Sequence, residues 1–294
     1  MATALPTGPH PAPELSPERV MAQAGSENFP VASRLLPRAV RAHLMALYGF
    51  ARLIDDAGDE AVGDRLALLD ALEADLERVF SQTRLPRHPL MQRLQPTVRA
   101  CGLPEPPFRR LIEANRRDQR QHRYATFADL RAYCALSANP VGELVLGVLG
   151  AATPENIERS NSICTGLQLT EHWQDVAEDH RRGRVYVPAE DLHRFGLHET
   201  ELGSPSASPS VRELMAFEVD RARRLLDDGA PLIRALRGRA ALAIAAFVAG
   251  GRSALGAIER ADYDVLAGSP RPGRAHTALE LARTLLASAG SRQR

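Results

Sequence analysis

The chain has 294 residues, which is enough for one large domain or two ordinary ones and for a sizeable buried core. Lys and Arg number 37 against 36 Asp and Glu, a net charge of +1, and this balance argues against a nucleic-acid-binding protein that relies on bulk charge. Apolar residues make up 44% of the chain but aromatic residues only 5%. This composition, with its abundant Ala and Leu, predicts helices and not sheets.

Cysteine use and the apolar runs bear on the cellular compartment. The three cysteines Cys101, Cys134 and Cys164 form no C-x-x-C pair, which favours a reducing compartment and argues against a zinc site. No basic segment precedes an apolar signal core, so we expect a cytoplasmic protein. The most apolar run, residues 240–251, is too short to span a bilayer and predicts a buried core helix. Peripheral association with the inner face of the cell membrane stays open.

Proline and glycine positions divide the chain into segments. Residues 1–24 contain five prolines and predict a flexible leader. Farther on, apolar residues recur at spacings of three and four, which predicts amphipathic helices. The predicted helices cover residues 38–57, 63–80, 90–101, 108–121, 127–151, 154–181, 211–228, 231–249, 252–261 and 275–289. We expect Pro140 to break or kink the fifth of them, and residues 199–210, rich in Ser and Pro, predict a loop.

The pattern as a whole predicts an all-α fold. The sequence has no strand-like alternation of useful length, no repeat and no glycine-rich nucleotide motif, so neither a dinucleotide-binding fold nor an NTPase is supported. We therefore predict a single domain whose helices surround a central cavity. The predicted boundaries place the leader at 1–24, the all-α domain at 25–267 and a C-terminal helix and tail at 268–294.

Three carboxylates at a spacing of four residues mark the predicted helix 154–181. Glu171, Asp175 and Asp179 would share one helix face with Gln168. Like charges at this spacing cost about a few tenths of a kcal/mol per pair. Ordinary solvated helices relieve this by interleaving Lys or Arg, but here the basic residues come only after the acids. We therefore expect something positive to lie against this stripe.

A second acidic pair lies in the first long predicted helix. Asp55 and Asp59 are four residues apart, and Arg52 and Tyr48 extend the same side. Two such helices could face each other across a cavity. Four carboxylates suit a cluster of Mg²⁺, which prefers oxygen ligands and is usually completed by phosphate oxygens. The chemistry that this pattern indicates is ionisation of a diphosphate ester, with metal and arginine stabilising the leaving group.

These residues carry a resemblance to a known family. The stretches SENFPVAS, YGFARLIDDAGDE, LQLTEHWQDVAEDHRRGRVYVP and YDVL resemble the squalene/phytoene synthase family of head-to-head prenyl synthases over roughly residues 24–267. Their wording is most similar to the bacterial hydroxysqualene synthase branch of the hopanoid pathway. The resemblance implies a single-domain isoprenoid synthase fold and makes residues 25–267 the prenyl synthase domain.

The resemblance also assigns roles to individual positions. It implies that Asp55, Asp59, Asp175 and Asp179 hold Mg²⁺ and are catalytic, and that Tyr133 lines the reaction cavity and can stabilise a cation. The residues matched to substrate or diphosphate binding are Ser26, Tyr48, Arg52, Gln168, Arg184 and Tyr186. One position departs from the pattern: Glu171 stands where the family usually has Asn, so a charged carboxylate replaces a neutral amide as a metal ligand.

The implied activity is that of a hydroxysqualene synthase. In it, presqualene diphosphate loses diphosphate with the help of Mg²⁺, the cation rearranges and water captures it, a reaction of the carbon–oxygen lyase type. One alternative is head-to-head condensation of two prenyl diphosphates to presqualene diphosphate, squalene or phytoene, a prenyltransferase reaction. Another is a non-catalytic helper that keeps the fold. Expected partners are the prenyl diphosphate and other enzymes of squalene synthesis, and no nucleic acid.

Several neighbouring residues receive structural interpretations. His172 is expected to make local hydrogen bonds and Trp173 to belong to the core. Asp56 and Glu60 are expected to face solvent. The arginine-rich segment 109–123 is interpreted as a solvated basic face, with the rim of a diphosphate pocket as the alternative.

Overall fold

The computed structural model describes residues 16–22 and 36–290. Its helices are α1 (Pro17–Ala22), α2 (Arg38–Asp59), α3 (Arg65–Phe80), α4 (Pro89–Cys101), α5 (Pro106–Asp118), α6 (Phe127–Ser137), α7 (Asn139–Val148), α8 (Pro154–Gln174), α9 (Val176–Arg181), α10 (Ala189–Arg194), α11 (Pro209–Gly229), α12 (Leu232–Ala235), α13 (Gly238–Arg260) and α14 (Arg274–Gly290). A 3₁₀ helix, Glu199–Gly203, lies in the predicted loop. Within the described ranges there is no strand, only one isolated bridge between Arg123 and Val185. The all-α prediction is confirmed, while the domain boundaries stay a prediction.

Two buried clusters form the core. The first joins α2–α5, where Phe50 and Phe108 meet edge to face with ring centroids 5.1 Å apart, a geometry that adds about 0.5–1.5 kcal/mol to plain burial. The second joins α8, α11 and α13 through the fully buried Trp173, Leu226 and Val248. Helix α8 packs mainly against α11 and also against α7 and α13, so the helix that carries Gln168 and Glu171 is held from several sides.

Helices α2 and α5 approach closely beside the first acidic pair. A Cβ at Gly58 would overlap the Asn115 side chain, so glycine is required there for packing. The Asn115 amide then donates to Asp55, Nδ2 to Oδ1 at 3.1 Å. The sequence suggested that Gly58 loosens the end of the helix, but α2 continues to Asp59.

Two predicted helices are divided in the structure. The segment 127–151 forms α6 and α7, with Pro140 in the first turn of α7, where its missing N–H costs nothing. The segment 154–181 is interrupted at Asp175, whose φ of −110° and ψ of 18° are not α-helical. The expected continuous stripe is therefore wrong, because Glu171 and Asp179 lie on different helices.

Conversely, two predicted helices are joined in the structure. The predicted helices 231–249 and 252–261 correspond to the short α12 and to one long helix, α13, which runs through Gly250 and Gly251. A Cβ at Gly251 would come within 2.7 Å of Leu167, so this glycine permits close packing against α8 and is no break. By length and composition α13 is one helix among the described residues that could cross a membrane, but 56% of its most apolar window is buried in the protein. The expectation of a buried core helix is thus consistent with its packing.

Candidate active site

A polar cavity of about 270 Å³ lies where α2, α5, α6 and α8 converge. The segment that follows α9 closes it. Its lining residues are Asp55, Asp59, Leu111, Ala114, Asn115, Asp118, Tyr133, Ser137, Gln168, Glu171, Arg184 and Tyr186. Seven of the predicted site residues are therefore brought to one cavity.

Negative charge is concentrated on one side of this cavity. Asp55 is reached by water through the cavity although protein surrounds it. Burial, with help from the like charge of Asp59, raises its pKa to about 6, against the hydrogen bond from Asn115. Burial also raises the pKa of Asp118 to about 7, with Asp59 and Asp55 adding to the rise. These carboxylates hold more negative charge than the protein alone can stabilise, which is the electrostatic condition of a cation-binding site.

Asp118 is a site residue that the sequence interpretation missed. The arginines around it drew attention to the basic character of residues 109–123. Leu111, Ala114, Asn115 and Asp118 nevertheless follow helical spacing and all line the cavity. A helical-wheel separation of this segment into an inner and an outer face would have revealed it.

The arginines of the same segment lie on the outer face, in ion pairs. Arg109 and Arg116 contact Glu73 at 2.6 and 2.5 Å. Arg123 pairs with Glu199 at 2.6 Å, and Arg110 pairs with Glu143 on α7. The solvated basic face is thus the interpretation that the structure supports for these arginines.

Aromatic side chains build the opposite wall. The Tyr133 hydroxyl donates to Asp118 Oδ2 at 2.8 Å. Tyr186 stacks on His172 with ring centroids 3.6 Å apart, and Tyr124 lies against both tyrosines. Burial raises the pKa of Tyr133 and of Tyr186 well above their usual values, so both phenols keep their protons.

His172 is neutral in this environment. Burial, followed by the nearby charge of Arg184, lowers its pKa to about 3. Its Nε2 lies 3.2 Å from the Gln168 amide, which confirms the expected local hydrogen bond. Trp173, the next residue, is fully buried as expected.

Arg184 provides positive charge between the two acidic pairs: its ion pair is with Asp59 of the first pair, and toward the predicted stripe it acts through its charge on Asp179. Its Nη2 lies 2.5 Å from Asp59 Oδ1, and the carboxylates around it raise its pKa further. The backbone N–H of Val185 donates to His122 O at 2.8 Å, which ties this segment to the end of the α5 region. Arg184 thus links the helix of the first acidic pair to the chain just after the second.

The second acidic pair is arranged differently. Asp179 lies in a small adjoining pocket of about 10 Å³, shared with Arg184, Tyr186 and His172. Burial and the like charge of Asp175 raise the Asp179 pKa to about 7. Asp175 lies at the helix break and accepts a hydrogen bond from Ser269 Oγ at 2.6 Å. Across residues 16–22 and 36–290, no three acidic, His or Cys side chains are grouped as one set of metal ligands.

The remaining predicted residues lie away from this cavity or outside the described ranges. Arg52 contacts Asp56 at 2.7 Å and Glu60 at 3.2 Å, and Tyr48 interacts electrostatically with it. Asp56 was expected to face solvent, but it is only 1% exposed because it forms this ion pair. Ser26 lies outside the described residues, so its assignment stays a prediction.

Comparison with known proteins places the chain in a family. Residues 22–280 match the family model described as squalene/phytoene synthase. A 15-cis-phytoene synthase of Synechococcus elongatus is 33% identical, with 82% of each chain covered. A hydroxysqualene synthase of Rhodopseudomonas palustris is 34% identical, with 70% of each covered.

A solved structure supports the same assignment. The crystal structure of squalene synthase HpnC from Alicyclobacillus acidocaldarius is 44% identical, with a TM-score of 0.78 over 83% of this chain and 92% of that one. The fold is therefore the isoprenoid synthase fold that the sequence motifs implied. On the match of sequence and of structure, the chain belongs to the squalene/phytoene synthase family.

Proposed function

We propose that this protein ionises presqualene diphosphate and releases hydroxysqualene and diphosphate. The observation that carries the diphosphate chemistry is the cavity in which Asp55, Asp59 and Glu171 face Arg184. Carboxylates and a guanidinium at one point suit metal-bridged recognition of a diphosphate. The choice of reaction rests on the motif wording and on similarity to a hydroxysqualene synthase and to the HpnC structure.

The donor set of the cavity fits Mg²⁺. All candidate ligands are carboxylate oxygens, the type that Mg²⁺ prefers. Burial, with the like charge of the neighbouring aspartate, raises the pKa values of Asp55 and Asp179, and a divalent cation would favour their charged forms. Asp55, Asp59, Asp175 and Asp179 would hold the metal, with Glu171 as a further candidate. When bound, it would neutralise the charge of the departing diphosphate.

The other residues have complementary tasks. Arg184 would exchange its contact with Asp59 for the diphosphate and support the developing negative charge. Tyr133 is fixed by Asp118 and stays protonated, so its ring can stabilise positive charge without reacting as a phenolate. Leu111 and Ala114 provide the apolar part of the described wall, against which the hydrocarbon part of the substrate would lie. One captured water would give the alcohol.

A product assay tests this proposal directly. Purified protein is given presqualene diphosphate and, separately, farnesyl diphosphate, each with Mg²⁺ and with or without NADPH. Hydroxysqualene from presqualene diphosphate, formed without NADPH and lost with EDTA, is the expected result. Extracted lipids are identified by mass spectrometry. Absence of any product from presqualene diphosphate in a folded sample would refute the proposal.

Head-to-head condensation is the second candidate. It is favoured by the phytoene synthases, which match at the same level of identity as the hydroxysqualene synthases. In the same assay, consumption of farnesyl or geranylgeranyl diphosphate with formation of a new carbon–carbon bond would assign the protein to this reaction. A helper protein would release no diphosphate from any of these substrates.

A further inference from the structure

Helix α14 is oriented with its polar face inwards. Thr284 is 1% exposed and accepts a hydrogen bond from Arg252 on α13 at 3.1 Å. One helical repeat earlier, the Thr277 hydroxyl lies 3.2 Å from that of Ser253, also on α13. Hydroxyl groups therefore make part of the contact between α13 and α14, beside Leu281, which packs against the second core cluster.

The opposite face of α14 presents leucines to the outside. Leu279 is 49% exposed and Leu286 is 72% exposed. The two are seven residues apart and lie on one face, with the exposed Ala275 and Ala282 beside them. Leu285, 36% exposed, borders the same face. A surface helix normally buries its apolar face against the core, whereas α14 packs only Leu281 of its four leucines inwards and leaves the other three exposed.

The same part of the chain is basic. Residues 271–294 contain five Arg and one Glu, a side-chain charge of +4, whereas the whole chain carries +1. Residues 1–270 are accordingly net −3. Arg283 lies at the edge of the leucine face and pairs with Glu280 at 2.7 Å on the exposed surface. An apolar helix face with Arg274 at its start and Arg283 at its edge is the pattern of helices that lie in the interface of an anionic membrane.

We propose that α14 binds an anionic lipid surface, with Leu279 and Leu286 inserted among the acyl chains and the arginines at the headgroups. Charge favours lipid over a second copy of the chain, because a symmetric contact through α14 would bring two segments of +4 together. The proposal goes beyond the proposed reaction and does not depend on it.

The anchor would also orient the cavity. The segment just before α14 is hydrogen-bonded to the break between α8 and α9. Gln174 Nε2 donates to Pro270 O at 2.5 Å, and Ser269 donates to Asp175. A membrane-bound α14 would therefore hold the site at a fixed distance from the bilayer.

Vesicle flotation with the full chain tests the proposal. Vesicles of phosphatidylcholine alone are compared with vesicles that also contain phosphatidylglycerol, at low and high salt. We expect binding to the anionic vesicles that weakens with salt. The Leu279→Gln/Leu286→Gln variant should bind about tenfold or more weakly, because removal of each leucine side chain from water contributes to the free energy of membrane binding. A Val62→Gln/Leu85→Gln variant is the control, since these side chains are 80% and 75% exposed elsewhere and should not alter binding.

Circular dichroism and light scattering complete the test. Equal helical content and melting temperature in both variants would attribute the loss to the surface itself. Wild-type binding by the leucine variant, or no binding of the wild type to anionic vesicles, would overturn the proposal. A dimer that the leucine substitutions dissociate would overturn it too, because the face would then be an interface between copies. Independently, a Leu286→Trp variant should show a blue-shifted emission with anionic vesicles, and an unchanged spectrum would count against insertion.

Discussion

The two acidic pairs have the same spacing but different surroundings. Asp55 and Asp59 lie on the continuous helix α2, and both reach the main cavity. Asp175 and Asp179 flank a break between α8 and α9, so that one meets Ser269 and the other lies in a small adjoining pocket. The spacing of carboxylates therefore places them together only where the helix continues. At the second pair, Arg184 and the chain from residue 264 onwards decide the arrangement.

The largest expected effect is loss of the carboxylates themselves. Asp55→Asn and Asp175→Asn keep the side-chain shape but remove a negative charge from the proposed metal site. We expect each to lower kcat/KM for diphosphate release by about 10²-fold or more, since the stabilised charge is at the reacting group. Glu113→Gln, an exposed carboxylate-to-amide change on α5, is the control and should leave turnover unchanged.

The Asp55→Asn and Asp175→Asn variants also test whether the two acidic pairs differ in function. If the helix break in the second pair leaves Asp175 outside the working site, Asp55→Asn will be inactive while Asp175→Asn retains full activity. Circular dichroism must show the same helical content for both. Full activity of Asp55→Asn would contradict the proposed role of the first pair.

The next effect concerns Asp118, the carboxylate shared by both sides of the cavity. Asp118→Ala removes the acceptor and Tyr133→Phe removes the donor of the 2.8 Å hydrogen bond. We expect either change to reduce kcat about tenfold or more, because the Tyr133 ring loses its fixed position. If the bond is the cause, the double variant will lose less than the product of the two single losses, with a coupling of about 1 kcal/mol. Independent, multiplicative losses would show that the two residues act separately.

Much of this architecture could be predicted from sequence, and particular residues show where that stops. The chemistry and spacing of Asp55 and Asp59 form a local pattern that indicates a metal site, whereas Arg184 is assigned to the site by the family resemblance. Pro140 correctly marked a break. Gly251 did not, since its role in the packing of α13 on α8 is a tertiary contact, and local pattern cannot distinguish a packing glycine from a terminating one.

Other failures have similar causes. Asp118 is not apparent from the composition of segment 109–123, because the arginines dominate it until the two faces of the helix are separated. The break at Asp175 has no proline or glycine at that position to announce it. Its contact with Ser269 joins residues far apart in sequence, and such contacts are set by the folded chain as a whole.

A smaller effect is expected in the dependence of stability on pH. The pKa values of Asp55, Asp118 and Asp179 in the folded protein are raised to about 6, 7 and 7. At these three carboxylates the folded state binds more protons than the unfolded state between the ordinary aspartate value and about 7, so their contribution to stability falls as pH rises through this window. His172, with its lowered pKa, opposes this trend but is a single group. In EDTA, the melting temperature should therefore increase as the pH is lowered from 7.5 towards 5.5.

Substitutions distinguish the contribution of the cavity carboxylates to this pH dependence from that of other buried acids. Asp118→Asn should flatten this slope, since it removes one of the groups. Glu218, with a pKa raised to about 8 by burial, contributes a similar dependence that is unrelated to the cavity. Added Mg²⁺ should weaken the part due to the cavity and leave the part due to Glu218. A slope that neither Asp118→Asn nor Mg²⁺ alters would show that the cavity carboxylates titrate normally.

The smallest effect tests the second acidic pair on its own. Ser269 donates to the Asp175 oxygen that is a candidate metal ligand, so the hydroxyl and the metal compete for one carboxylate. Ser269→Ala removes the competitor, and Mg²⁺ should bind more tightly by up to about tenfold, the size of one hydrogen bond to a charged group. Titration calorimetry without substrate measures this directly.

A matched serine provides the control for that experiment. Ser206 donates to Asp264 at the same 2.6 Å, but Asp264 is not a candidate metal ligand, so Ser206→Ala should leave the Mg²⁺ affinity unchanged. Weaker Mg²⁺ binding in Ser269→Ala would mean that the hydroxyl orients Asp175 for the metal and does not compete with it. The sign of the change in Mg²⁺ affinity thus decides whether Ser269, in the chain leading into α14, competes with the metal for Asp175 or orients Asp175 to bind it. The first acidic pair raises no such question, because both of its aspartates lie on one unbroken helix.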